Sequence, residues 1–187
     1  ELSADANGPR KFAECADILL KAPKVFCLGR RSCYPVAFHF RYLLSVLRDG
    51  VRLLDGLGGT FTDELRDLRK GDVVFAVGFE PYSNATVDPV AAARELTCTV
   101  IAMTDTVVSP IAGPPARTIL VRNDSPSFFH SVAPAMAAAE ALAAVMVLRG
   151  GAKTLSTIAA SERQMQRYSA YWQGVPQGKP QRLERMK

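Results

Sequence analysis

The stretch from residue 75 to 88, FAVGFEPYSNATVD, opens as a buried strand and closes as the start of a helix. Between the two stand Pro81, Tyr82, Ser83, Asn84 and Thr86. A simple strand-to-helix turn does not require a proline, a phenol, a hydroxyl and an amide in succession. Ser83 and Thr86 are three residues apart, so at a helix start both hydroxyls can face one anion. A helix start presents amides without carbonyl partners and the positive end of the helix dipole. Hydroxyls beside them complete a cage suited above all to phosphate. Pro81 can hold the shape of such a loop, and Tyr82 can wall a ligand and offer it a hydroxyl. Each Ser or Thr taken alone is an ordinary N-cap. The weight therefore rests on how many of them gather at one place.

The elements that would gather them follow from periodicity. Short apolar runs at 24–29, 51–56, 72–79, 98–105 and 117–124 read as strands, and the first has no polar face, as parallel strands buried on both sides do. Helical patterns lie between them, at 11–21, 36–47, 61–72 and 86–97. Val36, Phe40, Leu43, Leu44 and Leu47 form one stripe, with Gly50 as C-terminal cap; Pro89 falls close to the first turn of its helix. The segment 106–116 has too many breakers for a long helix, and an alanine-rich helix over 132–148 precedes a last one over 152–172. This alternation predicts one α/β domain over 11–172: a doubly wound, flavodoxin-like, five-stranded parallel sheet flanked by helices. Ligands of such sheets sit beyond the carboxyl ends of the strands. There the sequence puts Gly29, Arg30, Arg31 and Ser32 after the first strand and the 78–86 stretch after the third. Thr104, Asp105 and Ser109 follow the fourth, and Ser125, Ser127 and Ser131 the fifth.

Composition narrows the class. The chain has 187 residues, 48% hydrophobic and 22% charged, which suits a globular domain. Of the net charge of +5, the segment 173–187 carries +3, so the basicity marks a tail, expected to be disordered, rather than a nucleic-acid surface. Cys15, Cys27, Cys33 and Cys98 form no C-x-x-C pair, and with only His39 and His130 there is no metal set; neither a metal nor a cofactor is expected. Cys27 and Cys98 fall in apolar patterns and read as buried free thiols, which fits a reducing cytoplasm. The most apolar stretch, 132–148, is short for a membrane span and contains Pro134 and Glu140. The chain opens on Glu1 rather than Met, which reads as a piece of a longer protein.

Three loops in order resemble one family. GRRS after the first strand, FEPYSNAT after the third and TDTVVSP after the fourth are similar to the sugar isomerase (SIS) domain, most closely that of RpiR-type bacterial transcriptional regulators. There the third-strand loop often reads F-x-P-Y-S-x-x-T, met by Phe79, Pro81, Tyr82, Ser83 and Thr86. The fourth reads T-D-x-x-x-S-P, met by Thr104, Asp105, Ser109 and Pro110. The resemblance implies phosphosugar binding at Gly29, Arg30, Ser32, Pro81, Tyr82, Ser83, Thr86, Thr104 and Ser109. Two departures stand out. Arg30 and Arg31 replace small residues, and either narrow the pocket or pair with phosphate. Pro81 and Asn84 replace the first serine and the glycine of the S-x-S-G-x-T relatives. The resemblance further implies an effector and dimerisation domain, with DNA bound through an N-terminal helix-turn-helix domain outside this chain.

The alternative it leaves is an aldose–ketose isomerase, which needs a tuned carboxylate or histidine to move a proton. Glu140, the one charge within the apolar helix, is a candidate if buried; it is otherwise a surface or interface residue. His130 could line the pocket from a helix start or be a packed histidine. His39 reads as an ordinary helix-face residue, and no residue is assigned as catalytic. Dinucleotide binding is disfavoured: Asp55 ends the second strand where a ribose-binding acid would stand, but GRRSCY lacks G-x-G-x-x-G. The 132–148 helix, apolar almost all round, requires cover on every side, which predicts a homodimer.

Overall fold

The computed structural model describes residues 7–172. The elements are α1 (Pro9–Lys21), β1 (Val25–Gly29), α2 (Tyr34–Leu47), β2 (Val51–Leu53), α3 (Phe61–Leu65), β3 (Val73–Val77), α4 (Asn84–Glu95), β4 (Thr99–Thr104), β5 (Thr118–Leu120) and α5 (Ala133–Arg167). All five strands are parallel, in the order β2-β1-β3-β4-β5. The reversal of strand order falls between β1 and β3, and there a doubly wound sheet opens a crevice at its carboxyl edge. The expected architecture is the observed one.

The strand sequences explain the two cores. Successive side chains of β3 point to opposite faces. Val73, Phe75 and Val77 join Cys27, Ile101 and Ile119 under α1, α2 and α5, while Val74 and Ala76 join Phe26, Leu28 and Ala102 under α4. Every residue of β1 and β3 is buried, which is why neither strand shows a polar face. The Asn7 side chain pairs with both backbone groups of Leu120, so the segment before α1 covers the free edge of β5.

Most elements differ from expectation at an end, β2 and β5 spanning only three residues of the runs 51–56 and 117–124, and three helix boundaries differ for a definable cause. The helix predicted over 61–72 stops at Leu65, because the buried Asp72 carboxylate gathers the amides of Arg69 and Lys24 into a turn. α4 starts two residues earlier than expected, which leaves Pro89 in its second turn, where the ladder loses one bond. The two last helices form one 35-residue element broken at Gly151, whose φ of 56° and ψ of −144° leave helical space. By length and composition α5 could cross a membrane, but Ala135, Ala139, Leu142, Ala143 and Met146 are packed into the core. Its outer stripe of Ala137, Ala141, Ala144 and Leu148 lies open in the single chain, together with Phe38 and Tyr42 of α2. The predicted tail, 173–187, lies outside the described residues.

Candidate functional site

A cavity of ≈ 240 Å³ opens at the carboxyl edge, where the β1, β3 and β5 loops meet. The β1 loop supplies Arg30, Arg31, Ser32 and Cys33 to its wall. The β3 loop supplies Gly78, Phe79, Pro81, Ser83 and Thr86, and the β5 loop Phe128, Phe129 and His130.

Each loop has a local reason for its course. A Cβ on Gly29 would stand 2.6 Å from the Cys33 carbonyl oxygen, so only glycine lets the chain turn back this closely after β1. Arg31 then takes a left-handed φ of 53°, and a single 3-10 turn over 31–33 leads into α2. After β3 the peptide bond before Pro81 is cis, and Ser83 is the extended N-cap of α4. No side chain caps that helix start, so the Ser83 hydroxyl is not engaged in the task that serines most often perform there. Thr86, one turn on, is buried at the same wall. Ser83 and Thr86 thus line one cavity.

Ser32 faces them from the β1 loop. Its Oγ lies 2.9 Å from His130 Nε2, a hydrogen bond whose direction follows the imidazole tautomer. The imidazole stacks on Phe129, with ring centroids 4.7 Å apart, and meets Phe79 edge-on at 6.0 Å. His130 therefore does line the cavity, from the loop before α5 rather than from its first turn. Cys33 shares the wall, but burial pushes its thiol up, against the pull of a backbone bond from Phe79 and a bond from Ser32; it is no ready nucleophile.

The remaining expected residues have other tasks. Tyr82 does not line the cavity. Its hydroxyl donates to Asp105 Oδ1 at 2.6 Å, and the same carboxylate accepts the Thr104 hydroxyl at 3.0 Å and the Glu80 amide at 3.2 Å. Burial alone would raise the Asp105 carboxyl, but these donors together hold it below the ordinary carboxylate value. Burial and the Asp105 contact push the Tyr82 phenol up, so it stays a donor. Thr104 and Ser109 are buried behind the loop, Ser109 accepting the Ile111 amide. The four residues bracket the β3 loop to the end of β4. Gly29 stands under the cavity through its close approach to Cys33.

The Arg30 guanidinium turns away, donating to the Asp55 carbonyl at 2.5 Å and lying 4.4 Å over the Phe61 ring. Asp55 is thereby the turn residue that the missing glycine pattern implied. Arg31 is exposed at the rim. Glu140 is not buried: it stands 61% exposed on α5 and pairs with His39 Nε2 at 3.1 Å, outside the cavity. Its burial in the apolar helix, one of two readings open from sequence, is excluded.

Phe128 and Phe129 were not among the expected site residues. In the fifth loop, SPSFFHS, the serines stand out in sequence, yet Ser125 and Ser131 accept nearby amides in ordinary turns. The adjacent aromatic pair was the better signal.

Several solved structures share this architecture. The sugar isomerase domain of an RpiR transcription factor from Sphaerobacter thermophilus superposes with a TM-score of 0.77 at 23% identity, over 87% of this chain and 90% of that one. Vibrio vulnificus NanR, complexed with ManNAc-6P, gives 0.73 at 14%, over 91% and 69%. The phosphoheptose isomerase GmhA of Neisseria gonorrhoeae gives 0.56 at 19%, over 74% and 83%. No curated protein matches the chain. The SIS domain model matches residues 18–148, which take in all five strands and the three loops of the cavity, and the chain belongs to the SIS domain family.

Proposed function

We propose that this chain is the phosphosugar-sensing and dimerisation domain of a bacterial transcriptional regulator of the RpiR type. The observation that carries the reading is the free helix start of α4. Ser83 and Thr86 face a cavity beside it, and Ser32 closes the cavity from the neighbouring loop. This constellation suits a phosphate monoester, with Phe79, Phe128 and Phe129 offering apolar faces to the carbon skeleton. The likeness to the RpiR sugar isomerase domain and to NanR is in keeping with the regulator, as the likeness to GmhA is with an isomerase. No carboxylate lines the cavity among the described residues, so proton transfer would fall to one group. The open stripe on α5, with Phe38 and Tyr42, supports a homodimer. Ligand binding would act on DNA affinity through that dimer, by way of a DNA-binding domain outside this chain.

A specific feature favours a second reading, the isomerase: His130 stands in the cavity within hydrogen-bond distance of Ser32. One experiment separates the two. The chain is heated with a panel of sugar phosphates, with free sugars and inorganic phosphate as controls. A ligand at 100 times its dissociation constant adds about 2.7 kcal/mol to the native state and shifts the melting point. A selective shift with the ligand recovered unchanged supports the sensor. Recovery of the isomer transfers the assignment to the enzyme. A monomer of 20.3 kDa by light scattering overturns the dimer.

A further inference from the structure

A second, larger space lies at the opposite edge of the sheet. It is a groove of ≈ 690 Å³ between the end of α1, the turns that precede β1 and β2, and the bend of α5. Its size is that of an ordinary small-molecule site. Five cations and two carboxylates line it: Lys21, Lys24, Arg48, Arg149 and Lys153, with Asp17 and Asp49.

The carboxylates are already answered. Arg149 holds Asp17 through two bonds, of 2.5 and 2.6 Å. Asp49 lies in the field of Arg48, whose guanidinium also caps α1 through the carbonyls of Ala22 and Pro23. Lys21, Lys24 and Lys153 form no ion pair among the described residues. Lys21 shares the field of Asp17 with Arg149, and the lining as a whole keeps an excess of three positive charges over its two carboxylates.

The bend adds to them. A helix that restarts after a break begins with amides whose carbonyl partners lie on the wrong side of the break. Lys153, Thr154 and Thr157 follow the break at Gly151 and line the groove. Thr154 is 3% exposed, and its hydroxyl, which makes no hydrogen bond among the described residues and is not one of the fully enclosed unpartnered atoms, is open to the groove it lines. A Cβ on Gly150 would stand 1.9 Å from the Thr154 oxygen, so glycine at 150 gives that hydroxyl its place.

We propose that this groove is a second ligand site, for a small polyanion carrying at least two phosphate groups. Lys21, Lys24 and Lys153 supply the charge, and Thr154 supplies a hydroxyl at the restarted helix. The site stands apart from the carboxyl-edge cavity and does not depend on what that cavity binds.

The test is a titration of the isotope-labelled chain with inorganic pyrophosphate at fixed ionic strength, followed by amide chemical shifts and calorimetry. The expected result is saturable binding that moves the resonances of residues 150–157. It weakens by at least about tenfold in Lys21→Ala/Lys24→Ala/Lys153→Ala, through the loss of charge-assisted bonds. It is retained in the triple Lys→Arg variant and in Ser83→Ala/Thr86→Ala. An unchanged melting point in the absence of pyrophosphate checks that the alanine variant folds, and the arginine variant carries the test if it does not. Binding lost in the Ser83/Thr86 variant and kept in the lysine variant would place pyrophosphate in the other cavity and overturn the proposal. So would an equal response to sulfate at the same ionic strength, or no saturable response at all.

Discussion

Two sets of hydroxyls stand within a few residues of each other at the carboxyl edge, and they differ in what holds them. Tyr82, Thr104 and Ser109 are engaged within the protein, the first two on Asp105 and the third on the Ile111 amide. Ser83 caps no amide and Thr86 makes no side-chain bond among the described residues, while the partners of Ser32, His130 and Cys33, themselves line the cavity. The first set fixes the β3 loop. The second faces an open cavity. Residue type alone does not separate them, since both sets contain Ser and Thr in family-like motifs. The difference lies in whether a partner is already present, because a polar group satisfied inside the fold has little left for a ligand.

The sharpest break of this contrast is the double variant Ser83→Ala/Thr86→Ala. Removing both hydroxyls from the free helix start should lower sugar-phosphate affinity by about 100-fold or more, as expected of two hydrogen bonds to a charged group. The melting point of the free protein should hardly move, since neither hydroxyl holds the fold. Calorimetry with the sugar phosphate identified in the screen measures the first, and thermal unfolding the second. Unchanged affinity would empty the cavity assignment of content.

Tyr82→Phe should show the opposite pattern. It leaves the Asp105 carboxylate without its shortest donor and should destabilise the fold by about 1–2 kcal/mol, with only a small loss of affinity through a looser loop. Chemical denaturation reads the first quantity directly. A variant of full stability and no affinity would return Tyr82 to the ligand and dissolve the distinction between the two sets.

The same bracket makes a prediction about acid. The folded-state value of Asp105 lies below the unfolded one, so its contribution to stability is present above the unfolded value of 3.8 and is lost as pH falls through the folded one. The wild-type fold should lose stability more steeply below about pH 4 than Asp105→Asn does. Parallel stability curves for the two proteins between pH 2 and about 6 would show that the carboxylate is not held by its donors.

These contrasts bear on what the sequence made legible. The parallel sheet and its flanking layers followed from apolar runs and alternation, since strands buried on both faces leave that mark in any sequence. The Ser83–Thr86 pair was legible because spacing along a helix start fixes what two side chains can face. The role of Tyr82 was not, because its partner Asp105 lies 23 residues away and only the packed sheet brings them together. The sequence leaves Arg30 open for the same reason: what holds it is the Asp55 carbonyl in the loop after β2 and Phe61 at the start of α3. Phe128 and Phe129 carry no hydroxyl and so fall outside a phosphate-binding pattern, whereas a binding wall needs apolar faces as well.

The smallest effect belongs to Glu140, and it tests the boundary of the site from outside. The pair with His39 is exposed, and exposed ion pairs contribute between nothing and about 1 kcal/mol. Glu140→Gln should therefore change stability by less than about 0.5 kcal/mol, as surface substitutions usually do, and should leave phosphosugar affinity unchanged, since neither partner lines the cavity. The interesting failure is a third one, a change in self-association measured by sedimentation. Glu140 stands among Ala137, Ala141 and Ala144 on the open stripe of α5, and a charge in the middle of an apolar interface is felt where an isolated surface pair is not. A shift in the dimer equilibrium with affinity intact would move Glu140 from the solvent into the contact between subunits, and would still keep it out of the chemistry of the cavity.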